Sequence, residues 1–343
     1  MPSADFRKRY VKSLVSEIRS YKREGIGVDT VFFGGGTPSL LLPTEVHLIM
    51  DAVEESFGIS RNSEFTVEVN PRALTEETLR AFLERGANRF SIGLQSIHEN
   101  ELKKLGRIHG YKDFLTTYKM LRHHGAANIS VDLMLGIPEQ TPESLAETLT
   151  AVLSLEPEHI SAYGLIIEEG TPFFRSRSTL ALPDEDEERQ MYFAAAELLA
   201  EAGYEHYEIS NYARRGFRCR HNLKYWRCEE YIGVGLAAHS YLNGVRFGNS
   251  RNAREYFGRE NKEIVHLSDT DKSFEFVMLA LRLKDGFSFR EYEKYFGESF
   301  FDPRREKITF FEKNGYLKTD GGRLCLTEKG FYVSNTVIAE LLA

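Results

Sequence analysis

Short apolar runs recur along this chain about every 25–40 residues, and each one stops at glycine, proline or a single polar residue. They are Val31–Leu40 (VFFGGGTPSL), Phe65–Arg72 (FTVEVNPR), Phe90–Ser96 (FSIGLQS) and Ile129–Thr141 (ISVDLMLGIPEQT). His159–Leu165 (HISAYGL) is a further parallel candidate, and Glu205–Ile209 is one more short addition. The stretches between them carry helical periodicity, which predicts helices over about 43–57, 75–85, 111–124, 142–154 and 185–202. Strand and helix alternating in this way build a parallel sheet. Glu68, Gln95 and Asp132 fall at or near the C-terminal ends of their strands, the edge where successive strand tips of a β/α barrel converge on one ligand.

The chain opens on a helix, predicted over 4–24 from Phe6, Tyr10, Leu14, Ile18 and Tyr21 at spacings of three and four. In a βα repeat a leading helix packs against the strand before it. The expected fold is therefore α/β, an incomplete parallel β/α barrel whose first strand is missing. Beyond the barrel the rhythm changes. Residues 211–242 are rich in glycine, aromatics and arginine with no clean period, and read as loop and short strand. From Asp269 a new pattern predicts helices at Phe274–Arg282, Phe289–Phe296 and Pro303–Asn314, a hairpin over Tyr316–Leu326 and a closing helix at Lys329–Leu342. Three helices and a hairpin resemble a winged helix. Three domains follow: a barrel over 1–210, a connecting segment over 211–268 and a C-terminal helical domain over 269–343.

Charge and composition narrow the function. At 343 residues with a net charge of −7, the chain is a poor general binder of nucleic acid or anionic membranes. Residues 303–314 mix Arg304, Arg305, Lys307 and Lys313 with Glu306 and Glu312, so the winged-helix unit reads as a structural cap rather than a DNA reader. No run of 18 apolar residues exists, and MPSADFRKRYVKSL carries no apolar stretch of the secretory kind. Three widely spaced cysteines, Cys219, Cys228 and Cys325, point to a reducing cytoplasm.

Gly34, Gly35 and Gly36 follow a strand, and glycines there permit positive φ and a close backbone approach to a ligand. The turn matches neither a P-loop nor a dinucleotide fingerprint. Glu68 and Asp132 sit in mainly apolar strands, where an unpaired carboxylate is costly to bury. A cationic ligand group or a neighbouring arginine, with Arg107 as the candidate, would resolve that cost; an internal structural salt bridge is the competing explanation. In HNLKYW (221–226), His221 offers a metal ligand and Tyr225 and Trp226 offer aromatic surface. The cations Arg214, Arg215, Arg218, Arg220, Lys224 and Arg227 around it suit carboxylates.

GGGTPS, VEVNP, GLQS, LGRIH and DLMLGIPEQT, in this order and spacing, resemble the barrel of the radical SAM enzymes. More narrowly they resemble the oxygen-independent coproporphyrinogen III oxidase-like group, HemN and HemW. The resemblance covers nearly the whole chain. It implies an S-adenosylmethionine (SAM) site at Gly35, Gly36, Thr37, Glu68, Gln95, Arg107 and Asp132, with the backbone at Leu165 and Ile166 beside the adenine. HNLKYW matches the HNxxYW motif of the haem-binding branch, which implies haem at His221, Tyr225 and Trp226, with His221 on the iron. The implied role is a chaperone that binds haem and passes it to a client protein in the cytoplasm. Loose association with membrane-bound haem proteins fits that role, and nucleic acid has no part in it. The alternative is oxidative decarboxylation of coproporphyrinogen III by the oxidase branch.

One departure is large. The family holds a [4Fe–4S] cluster on CxxxCxxC after the first barrel strand, and thiolates are what such clusters require. No such motif occurs here, and the three cysteines have neither its spacing nor its position. The resemblance thus begins just after the cluster loop, which favours a truncated or misassigned reading frame over a paralogue that has shed its cluster.

Overall fold

The computed structural model describes residues 3–22, 26–260 and 262–343. Helix α1 (Ala4–Ser20) starts at Ser3, whose hydroxyl accepts from the Phe6 N–H at 3.2 Å, and it buries Val11, Glu17 and Ile18. The expectation of helix as far as residue 24 falls partly on residues 23–25, outside the described residues. Five strand–helix units follow: β1 (Gly27–Phe33), α2 (Pro43–Ser56), β2 (Gly58–Val69), α3 (Glu76–Glu84) and β3 (Arg89–Gln95), then α4 (Glu99–Lys104), α5 (Tyr111–His123), β4 (Ile129–Leu135), α6 (Pro142–Leu153) and β5 (His159–Gly164). Helix α4 was not expected; it is a six-residue turn between β3 and the LGRIH segment.

Strands β2, β3, β4 and β5 pair in parallel. Strands β3 and β4 are buried along almost their whole length, as a sheet covered by helices on its face requires. The helices begin where the sequence provides caps. Thr75 caps α3, and Thr141 with Ser144 and Pro142 start α6.

After β5 come α7 (Pro172–Ser176), α8 (Glu185–Glu201), β6 (Glu205–Glu208) and β7 (Asn211–Ala213). The strand order is β1-β2-β3-β4-β5-β7-β6. The short addition expected at Glu205–Ile209 therefore does not continue the barrel beside β5. It folds back as a hairpin, with β7 antiparallel to both β5 and β6. Only two residues, Ile209 and Ser210, separate β6 from β7, too few for the crossover that a further parallel strand needs.

The remainder comprises α9 (Arg220–Trp226), β8 (His239–Leu242), β9 (Val245–Gly248), α10 (Ala253–Gly258), β10 (Glu263–His266), α11 (Asp269–Ala280), β11 (Phe287–Ser288), α12 (Phe289–Phe296), α13 (Arg305–Lys313), β12 (Leu317–Asp320), β13 (Arg323–Leu326), α14 (Glu328–Tyr332) and α15 (Ser334–Leu342). Strands β8, β9 and β10 form one antiparallel sheet, and β11, β13 and β12 another. The second sheet is the wing of the expected C-terminal unit. Its closing helix is broken at Val333 into α14 and α15.

The chain divides into two compact units. One is Met1–Val31, Leu42–Glu64 and Cys219–Ala343; the other is Phe32–Leu41 and Phe65–Arg218. Within the first, the buried Glu17 of α1 accepts from the Gly235 N–H at 2.9 Å, Asn249 Nδ2 at 2.7 Å and the Tyr256 hydroxyl at 2.9 Å. A single carboxylate so ties the N-terminal helix to the segment around β8 and β9.

Candidate functional site

The strand-tip site lies in the unit that holds Phe32–Leu41 and Phe65–Arg218. Gly35 and Gly36 both have positive φ, +73° and +63°, and nothing among the described residues stands within 4 Å of where a side chain would begin. Gly34 has the opposite constraint: a side chain there would collide with the Phe32 ring and meet Glu68 at 3.1 Å. That closeness has a use, because the Gly35 N–H donates to Glu68 Oε2 at 2.9 Å. The turn after β1 therefore holds the carboxylate at the tip of β2. Burial raises the Glu68 pKa; the Gly35 N–H opposes the shift and the charge of Asp132 adds to it.

Gln95 ends β3 with φ +72°, next to a register shift between Gly93 and Gln95. An irregularity of this kind re-aims a side chain at a strand end. The Gln95 Oε1 accepts from the Tyr163 hydroxyl of β5 at 3.0 Å. Tyr163 is pushed up to about 12 by burial, then by the Asp132 charge, so it stays a neutral donor.

Asp132 on β4 is surrounded by hydroxyls. Ser91 Oγ lies 3.0 Å and 3.2 Å from its two oxygens, and Ser130 Oγ lies 3.4 Å from one of them. Ser161, directly across from Asp132 on β5, adds a third. Burial raises the Asp132 pKa, and the hydroxyls with the Arg89 charge pull against that rise. The charge of Arg107, the expected cation, acts on Tyr163 and His109, whereas Arg89, buried at the start of β3, acts on Asp132 and His159. Buried His159 bridges Ser130 and Tyr207, 2.8 Å from each, and burial with the Arg89 charge holds its pKa well below the usual range.

Arg89, Ser91, Ser130, Ser161 and Tyr163 were not read from the sequence. The available signal was small polar residues facing one another on adjacent strands, with Ser91 in register with Ser130 and Asp132 with Ser161. Thr37 follows the glycine turn and precedes the buried Pro38 and Ser39; Ile166, beyond β5, is 80% exposed.

HNLKYW lies in the other unit and corrects the expectation of loop, because it forms α9, a seven-residue helix. The cap explains why. Cys219 at the helix start gives no side-chain cap, but the buried Glu64 of β2 accepts from the Arg220 and His221 N–H groups, each at 2.9 Å. A carboxylate from a neighbouring strand thus satisfies two of the amides that a helix start leaves open. On a helix, His221 and Tyr225 share one face. The two rings meet edge to face, with His221 Nε2 2.8 Å from the Tyr225 hydroxyl and Nδ1 2.9 Å from Thr30 Oγ1. The Trp226 indole N–H is buried without a hydrogen-bond partner among the described residues.

The surrounding cations are more committed than the sequence suggested. Arg220 reaches Asp29 at 3.3 Å and the Asn62 carbonyl at 2.6 Å, and Lys224 reaches Asp29 at 3.0 Å and Glu229 at 2.9 Å.

For a [4Fe–4S] cluster the residues do not fit. No group of three or more metal-ligating side chains comes together among the described residues, Cys219 donates to Glu64, and Cys325 donates to the Asp285 carbonyl.

This architecture, a parallel-rich sheet with a glycine turn after β1 and carboxylates at the next strand tips, is that of a radical SAM protein. Residues 2–152 match the Radical SAM superfamily, and residues 267–333 match the HemN C-terminal domain. The Escherichia coli coproporphyrinogen III oxidase, described as a radical SAM enzyme, superposes with a TM-score of 0.85 over 99% of this chain and 85% of that one, at 20% identity. Among curated proteins, the Heme chaperone HemW of Lactococcus lactis is 35% identical over 97% of this chain and 89% of its own length. That of Escherichia coli is 34% identical over 97% and 90%. A bovine mitochondrial radical S-adenosyl methionine domain-containing protein is 34% identical over 92% and 76%. The chain belongs to the Heme chaperone HemW family.

Proposed function

We propose that this protein binds haem through α9 and hands it to a client haem protein, and that the strand-tip site takes SAM. The observation that carries the haem reading is His221. It is held on a capped helix, with Thr30 on one ring nitrogen and an exchangeable hydroxyl on the other. The donor set fits the group: an imidazole for iron, an unspent indole N–H, and aromatic surface at Tyr225, which is 37% exposed. Relatives named as haem chaperones over nearly the full chain support the delivery role. Similarity to the oxidase, at 20% identity, is a likeness of fold alone.

For SAM the fit is equally chemical. An open glycine turn, two carboxylates and Gln95 offer acceptors and donors for an ammonium and ribose hydroxyls. Arg107, beside Tyr163, offers a cation for the carboxylate. Thr37 and the backbone at Ile166 belong to the same assignment. When bound, SAM would supply a sulfonium and a methionyl group; no chemistry through an iron–sulfur cluster is assigned to this chain.

Haem titration tests the reading. The wild-type protein should shift the Soret band, and His221→Ala should remove that shift with little change in melting temperature. A variant that keeps the wild-type haem spectrum would overturn His221 as the ligand.

A further inference from the structure

The two hydrogen bonds of His221 are not equivalent in what they would do to a metal bound there. Thr30 sits on β1 and is buried, so its bond to Nδ1 fixes the plane of the ring. Partners of this kind on the far nitrogen orient metal-ligating histidines. Tyr225 lies on the same helix as His221, one turn on, and its hydroxyl sits 2.8 Å from Nε2. A neutral imidazole has one N–H and one lone pair. Whichever ring nitrogen carries the proton, Nε2 is engaged by the Tyr225 hydroxyl. An iron at Nε2 would need that bond broken.

We infer that the Tyr225 hydroxyl is a built-in competitor for the haem ligand position of His221, occupying Nε2 whenever haem leaves. The inference rests on the reading that His221 takes haem iron. No electrons would move in the exchange: the hydrogen bond between Tyr225 and Nε2 would break, any ring proton on Nε2 would pass to Nδ1 or to water, and the phenol proton would stay on its oxygen. The reverse exchange stabilises the released state by about one net hydrogen bond. Such a device suits a carrier, which must give haem up, better than a storage protein. It also changes the role of Tyr225 from porphyrin cover to release element. The edge-to-face packing of the two rings at 5.2 Å, and of Tyr225 on Tyr231 at 4.7 Å, holds the hydroxyl at Nε2.

The test titrates the full chain with haem and reads affinity from the Soret band at equilibrium. Tyr225→Phe keeps the ring and its packing and deletes only the hydroxyl. It should bind haem about two- to tenfold more tightly than wild type, the equivalent of one net hydrogen bond lost from the haem-free state. Affinity equal to or weaker than wild type would overturn the competitor role. His221→Ala run alongside separates the two claims. If it abolishes the ligand spectrum while Tyr225→Phe binds with wild-type affinity, competition alone fails. If it keeps the wild-type spectrum, the ligand assignment fails and the competitor role falls with it.

Discussion

The strand-tip site and α9 reach chemical order by opposite routes. At the strand tips, Gly35, Glu68, Gln95, Asp132 and Tyr163 come from five different strand ends spread over some 130 residues, and the parallel sheet alone brings them together. In α9, His221 and Tyr225 are neighbours by helical spacing, and Glu64, Asp29 and Thr30 on two strands cap and brace the helix. The first site depends on global topology and the second on local structure with borrowed support. Ligand binding at the two should therefore fail separately.

The largest effects should come from removing the central group of each. Asp132→Ala or Glu68→Ala should abolish SAM binding measured by calorimetry while leaving the haem spectrum intact. His221→Ala should do the reverse. Loss of both ligands in any one of these variants, with an unchanged melting temperature, would break the comparison.

Next comes the borrowed cap. Glu64→Ala leaves two helix-start amides unpaired, at about 1–3 kcal/mol for each buried group, so it should lower the melting temperature and weaken haem binding together. Glu64→Gln, which keeps one acceptor oxygen, should lose less. A Glu64→Ala variant with normal stability and normal haem affinity would show that α9 needs no support from β2.

Acidification should weaken SAM binding. Glu68 and Asp132 both have raised pKa values in the folded protein, so they take up protons at higher pH than ordinary carboxylates. The stability such groups contribute is present at low pH and lost as pH rises through the raised pKa. The ionised acceptors that a cationic ligand needs lie on the high-pH side. Affinity should thus fall as the pH drops toward the ordinary carboxylate range near about 4. An affinity flat across that range would place the ligand elsewhere. The smallest effect is expected at Arg220. It is an exposed cation already paired with Asp29, so Arg220→Ala should change haem affinity by only about 0.2–1 kcal/mol.

Legibility follows the same division. The glycine turn and the carboxylates were visible because a lone polar residue in an apolar strand is an anomaly, and the strand-to-helix rhythm fixed the end of the strand on which each sits. What answers Asp132 was not visible. Serines in strands look unremarkable until Ser91, Ser130 and Ser161 are known to stand on adjacent strands, and Arg89 was masked by sitting at a strand start. Arg107 was the candidate neighbour for both Glu68 and Asp132, and the charge that acts on Asp132 is that of Arg89. The helix α9 was misread as loop because seven residues carry too little periodicity, and its cap lies 155 or more residues away in sequence. The β6–β7 hairpin was misread as a continuing barrel because periodicity reports strands but not the direction in which they pair.

The measurement that tests the central claim most directly is hand-off. Haem-loaded protein is mixed with a haem-free client at increasing client concentration, and the rate is read from the client's Soret band. Delivery by contact predicts a rate that rises with client concentration. A rate independent of client concentration would mean passive loss of haem into solution, and would contradict a chaperone role for this chain.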